Sequence, residues 1–128
     1  MSKNEYIEDT NNMNIKISKD VLSSIAFKAI SSIEGVELSN VSTGITDIIN
    51  RKNISKGIKV EIKDNDVTID LFISLKYGQK VNEVGYDVQR KVKDSIELMT
   101  DLNVKEINVH IENLITEKDE IGKTIENE

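Results

Sequence analysis

The chain has 128 residues, of which 38% are hydrophobic and 31% charged, with no cysteine, proline or tryptophan and a net charge of −6. That length suits one domain with a real core. The missing cysteines exclude disulfides and thiolate metal sites, and no apolar run approaches the ~18 residues of a membrane span.

The acidity sits mostly at the two ends. In residues 1–12, Lys3 stands against Glu5, Glu8 and Asp9; in residues 117–128, Lys118 and Lys123 stand against Glu117, Asp119, Glu120, Glu126 and Glu128. These composition breaks predict flexible acidic tails over 1–12 and 117–128, flanking a single domain over 13–116. An acidic chain is a poor nucleic-acid binder, because that affinity comes mainly from neutralising phosphates. The start, MSKNEYIEDTNN, lacks the apolar stretch of a secretory signal. A cytoplasmic location is therefore expected.

The first element is a short strand: Met13, Ile15 and Ile17 alternate with polar residues. Ser18 has the chemistry of an N-cap and Asp20 suits a helix N-terminus. Val21, Ile25, Ala29 and Ile33, with Leu22, Ala26 and Ile30 beside them, then predict an amphipathic helix that Gly35 stops. Val36-Glu37-Leu38 begins a weaker strand. The segment 39–57 is long for a connection in a compact domain. Within it, Ile45, Ile48 and Ile49 have the spacing of a short helix, and Arg51, Lys52 and Lys56 form a basic cluster before Gly57.

The clearest pattern is a hairpin. Ile58, Val60 and Ile62 alternate, Asp64-Asn65 supply turn residues, and Val67, Ile69, Leu71, Ile73, Leu75 and Tyr77 keep one parity. The opposite parity, from Asp66 to Lys76, is mostly polar. A second helix is expected from about Lys80 to Met99, buried through Val81, Val84, Val88, Val92, Ile96 and Met99. Asp87 with Lys91 and Arg90 with Asp94 are its candidate charge pairs. Gly85 inside it predicts close approach of helix and sheet. A last strand turns Ile107, Val109 and Ile111 inward. The order β-α-β-β-β-α-β implies an α+β two-layer sandwich, a mixed sheet with two helices on one face.

Chemistry-bearing motifs are scarce. His110 is the only histidine and shares the polar parity of Asn108 and Glu112. No serine sits in a G-x-S-x-G setting. Asp64 and Asp66 belong to a turn, and no carboxylate pair is positioned for acid–base work. No catalytic residue, cofactor or metal is expected, and the chain does not read as an enzyme. The junction Tyr77-Gly78-Gln79-Lys80, where strand meets helix, has two readings: an anion site at the helix N-terminus, or a turn needing a permissive backbone. A single glycine favours the turn, because phosphate loops need several. Gly35, Gly57 and Gly78 are assigned to turns.

Three blocks resemble the alkaline shock protein family, envelope stress response proteins of Gram-positive bacteria: ISKDVLSSIAFKAISSIEGV (17–36), GITDIINRKNISKGIKVEI (44–62) and VTIDLFISLKYGQKVNEVGYDVQRKVKDSIELMTDLNVKEINVHI (67–111). The resemblance implies a small cytoplasmic protein without cofactor that self-assembles as a homo-oligomer. It also implies attachment to the membrane through a separate small membrane-anchored protein, without direct membrane insertion. The alternative it carries is control of fatty-acid synthesis through a subunit of acetyl-CoA carboxylase. The family pattern usually has a glycine after the second helix, where this chain reads Met99-Thr100-Asp101-Leu102; Asp101 can tolerate a left-handed backbone, so the departure bears only on the turn geometry. Arg51, Lys52, Lys56, Tyr77 and Lys80 are the candidate partner-binding residues. The basic three read either as a solvated loop or as a surface for acidic groups.

Overall fold

The computed structural model describes residues 14–39 and 57–116. The elements run α1 (Lys19–Ser31), β1 (Val36–Leu38), β2 (Ile58–Lys63), β3 (Asp66–Lys76), α2 (Val81–Met99) and β4 (Asn103–Ile115). Strand β3 is the spine of the sheet. Along one edge it pairs antiparallel with β2 through residues 66–71 and then with β1 through 73–75, so the two short strands lie end to end. Along the other edge it pairs parallel with β4 over its whole length. Parallel neighbours need a long crossover, and α2 supplies it. Val67, Ile69, Leu71, Ile73 and Leu75 are all fully buried and share a core with Leu22, Ala26 and Ile30 of α1 and Val88, Val92 and Ile96 of α2. Both helices thus cover one face of a mixed sheet, the expected α+β architecture.

Particular elements differ from expectation for identifiable reasons. Residues 14–18 join no strand among the described residues, and Ile15 is 91% exposed. The Ser18 hydroxyl already accepts the Val21 N–H at 3.2 Å, so the chain is entering α1, and Ile17 packs against the core from the side. Helix α1 ends at Ser31, with Ser32 as its C-cap, and does not run on to Gly35. Its buried stripe centres on Leu22, Ala26 and Ile30, and Val21 is half exposed. In α2 the buried stripe narrows to Val88, Val92 and Ile96, while Met99 is 68% exposed. A Cβ on Gly85 would meet only Ile111 Cδ1 at 3.9 Å, an ordinary contact, so close packing does not require glycine there.

The hairpin turns at Asp64-Asn65 as expected, with Asp64 at φ 57° and Lys63 opposite Asp66. Strand β4 reaches the expected parity by a device. The β3–β4 register shifts between Val67 and Thr68, leaving Lys105 over, and again between Ile73 and Ser74, leaving Glu112 over. The first shift lets Val104 and then Ile107 both face the helices, although they are three residues apart. After α2 no described residue takes a left-handed backbone: Thr100 is extended, its hydroxyl donates to the Ile96 carbonyl at 2.8 Å, and it accepts the Leu102 N–H at 3.1 Å. Threonine thus satisfies the helix end without glycine. The expectations for residues 1–12, for Met13, for the short helix about Ile45, Ile48 and Ile49, and for 117–128 lie outside the described residues.

Candidate interaction surfaces

The Gly78 junction is built as a latch between the two helix ends. Gly78 has φ 104° and Gly35 has φ 84°, both in the region that favours glycine. The Gln79 amide lies across Gly35 and donates to the Glu34 carbonyl at 3.2 Å. A Cβ on Gly35 would fall 2.6 Å from the Gln79 amide nitrogen and push that side chain aside, while the positive φ is what favours glycine. Tyr77 and Lys80 lie on the exposed side of the junction; Tyr77 is 69% exposed, and Lys80 faces Glu83 at 3.8 Å. Gly57 is buried instead of lying at an open turn: a Cβ there would sit 3.1 Å from the Ser39 carbonyl. Arg51, Lys52 and Lys56 lie outside the described residues, so Tyr77 and Lys80 are the candidate partner-binding residues that the structure places.

The sheet face opposite the helices carries a cluster that composition did not reveal. Phe72 of β3 and His110 of β4 are register partners, and their rings stack at 4.5 Å with planes 9° apart. The imidazole Nε2 lies 3.1 Å from Asp70 Oδ1; a carboxylate can only accept, so Nε2 donates. Lys59 of β2 places its ammonium 5.8 Å from the Phe72 ring centre. His110 therefore lies on the polar face, as its parity predicts, but with two partners. The signal missed was the register, which aligns Phe72 with a residue far along the chain and cannot be read from one strand.

The helix layer presents a groove between α1 and α2, of about 390 Å³, floored by Ile25, Ala29 and Met99 and edged by Lys28 and Lys91. At the end where α1 begins, Ile15, Leu98 and Met99 are exposed around a second hollow of about 300 Å³. A third lies between α2 and β4, where Gln89 donates to the Ile107 carbonyl at 3.0 Å. Nearby, Glu97 ties the end of α2 to the start of β4, accepting from Lys93 Nζ at 2.7 Å and from the Val104 N–H at 2.9 Å. These hydrogen bonds, the Lys93 one foremost, hold the Glu97 carboxyl below its ordinary pKa, and the bond to Glu97 raises that of Lys93. The Arg90 guanidinium pairs with Asp87 at 2.7 Å, one turn back, in place of Asp94. Among the described residues, no group of three or more His, Asp or Glu is placed to hold a metal ion. No described helix is long and apolar enough to cross a membrane.

The alkaline shock protein 23 family, described by a cell envelope-related function, matches residues 7–116. The chain belongs to this family. Among curated relatives, YqhY of Bacillus subtilis is 33% identical over 106 residues, covering 81% of this chain and 78% of its own. Spy1535 of Streptococcus pyogenes is 32% identical over 115 residues, covering 89% and 84%. A Streptococcus pyogenes protein named stress response regulator gls24 homolog is 28% identical over 130 residues, covering 88% and 69%. No solved structure matches the chain. Family membership agrees with the resemblance of the three sequence blocks, and the match spans every element from α1 to β4.

Proposed function

We propose that the chain is a non-enzymatic cytoplasmic scaffold of the cell-envelope stress response, self-assembling and binding a membrane-anchored protein. The observation that carries this reading is the family match over residues 7–116, with its cell envelope-related function. The relatives named as stress response regulators support the stress component. The surface supports the interaction component: large apolar side chains stand exposed at Tyr77, Tyr86, Leu98 and Met99, on a framework of fully buried strand residues. The basic cluster Arg51, Lys52 and Lys56, with Tyr77 and Lys80, is the candidate contact for an acidic partner surface.

The test is gentle crosslinking of the tagged chain in its native host, followed by purification from separated membrane and soluble fractions. The scaffold reading expects adducts with a small membrane protein in the membrane fraction, alongside self-adducts. Adducts confined to soluble carboxylase subunits would overturn it in favour of a metabolic regulator. Charge reversal at Arg51 and Lys52 should weaken the membrane adduct while circular dichroism stays unchanged; an undiminished adduct would remove that cluster from the interface.

A further inference from the structure

We infer that the groove between α1 and α2 is the docking site of the chain's own acidic segment, residues 117–128. Four observations converge on that occupant. The groove has an apolar floor, with Ile25 and Ala29 one helical turn apart and Met99 beside them. Its edges carry Lys28 and Lys91, neither of which pairs with an acid among the described residues. Segment 117–128 is complementary in both respects. Ile121 and Ile125 are spaced to share one helix face, and Glu117, Asp119, Glu120, Glu126 and Glu128 supply the negative charge around them.

The fourth observation is where the segment starts. At the end of β3, the Lys76 N–H donates to the Gly35 carbonyl at 2.9 Å and the Tyr77 N–H donates to the Ile115 carbonyl at 2.8 Å. Gly35 and Ile115 thus flank the same strand end, two strand spacings or about 10 Å apart. Ser32, which lines the groove, lies three residues before Gly35. Ile115, one residue short of the last described position, therefore lies at the end of the sheet where Ser32 borders the groove. Residues 116–120 reach about 16 Å when extended, which brings Ile121 to the groove and lets Ile125 follow along its floor. The other acidic segment, 1–12, precedes Ile15, which lies beside Met99 and Asn65 at the end where α1 begins. Its large apolar residues, Tyr6 and Ile7, are adjacent in sequence and do not share a face.

Docking of this kind is an amphipathic segment laid into a groove between helices, made intramolecular by the tether. It would leave the groove open to another acidic amphipathic segment only when 117–128 is displaced. The test uses the full chain and an Ile121→Ser/Ile125→Ser variant, in which every described residue is unchanged. Nuclear magnetic resonance would follow the Ala29, Ser32, Lys91 and Ser95 amides and the Met99 methyl. The double variant should shift these signals and leave those of Thr68 and His110 on the far sheet face in place. A synthetic peptide of residues 116–128 added to the variant should return them, and high salt should weaken that return. Identical groove signals in the parent and the variant would overturn the proposal. So would groove signals that move with protein concentration, which would mean a second copy fills the groove. Groove signals that shift on deletion of residues 1–12 and not in the double variant would assign the groove to that other segment, and would overturn the proposal equally.

Discussion

The two faces of β3 carry different kinds of information. Toward the helices, Val67, Ile69, Leu71, Ile73 and Leu75 have no exposed surface, and each belongs to a core drawn from both helices and all four strands. Toward the opposite side, Thr68, Asp70 and Phe72 are only partly covered, and Phe72 and Asp70 find their partners in His110 of the neighbouring strand. One strand thus anchors the fold with alternate residues and, from Thr68 to Phe72, presents a surface with those between, whereas Ser74 is buried against Ser39. Stability should be sensitive on the first face and tolerant on the second, because cavity formation costs far more than loss of a half-exposed pair.

The sharpest way to break this contrast is Ile69→Ala. Truncation at a fully buried position should cost about 2–5 kcal/mol in chemical denaturation, through lost burial and the cavity left behind. Gly35→Ala should cost about 1–2 kcal/mol, since a positive φ disfavours any Cβ and the added methyl would dislodge the Gln79 amide from the Glu34 carbonyl. Gln79→Ala in the same background should recover part of that loss by removing the clash.

A smaller effect is expected for Glu97→Gln, and its pH dependence identifies the cause. The folded-state pKa of Glu97 is lowered from the ordinary value of 4.5, so its contribution is present above that value and lost as pH falls through the folded one. Lys93 is raised from 10.5, so its share is present below that value and lost as pH rises through the raised one. The difference in Tm between parent and variant should therefore hold across neutral pH and shrink in acid below about 4.5. A difference that persists unchanged in acid would assign the effect to packing. Smallest of all, His110→Ala should cost no more than the ~0.5–1.5 kcal/mol of an aromatic pair, read by the same denaturation curves.

The sequence made the local parts of this architecture legible. Alternation from Val67 to Leu75 gave the buried face, and Asp64-Asn65 gave the turn, because both depend on neighbours along the chain. What was not legible depends on contacts between distant segments. The strand pattern at Ile15 and Ile17 misled, because Ser18 captures the backbone for α1 and no described strand takes Ile15 as a neighbour. Met99 fits the helical stripe, yet the core ends at Ile96, so it faces the solvent beside Leu98. The Phe72–His110 pair required the β3–β4 register, including the extra residue at Lys105, before either ring had a partner. Of the candidate site, Tyr77 and Lys80 were placed by the turn they flank, whereas the α1–α2 groove arises only when two helices far apart in the chain are set side by side.

In the proposed scaffold role the chain meets the envelope through another protein. The most direct test of that claim is co-flotation of the purified chain with membrane vesicles from its native host, before and after protease treatment of those vesicles, and with protein-free vesicles of the same lipids. Attachment through a protein predicts that the chain floats with the untreated membranes and is lost from both the stripped and the protein-free ones. Equal flotation with all three would show direct lipid binding, and failure to float with any would place its partner elsewhere; either result would contradict the claim.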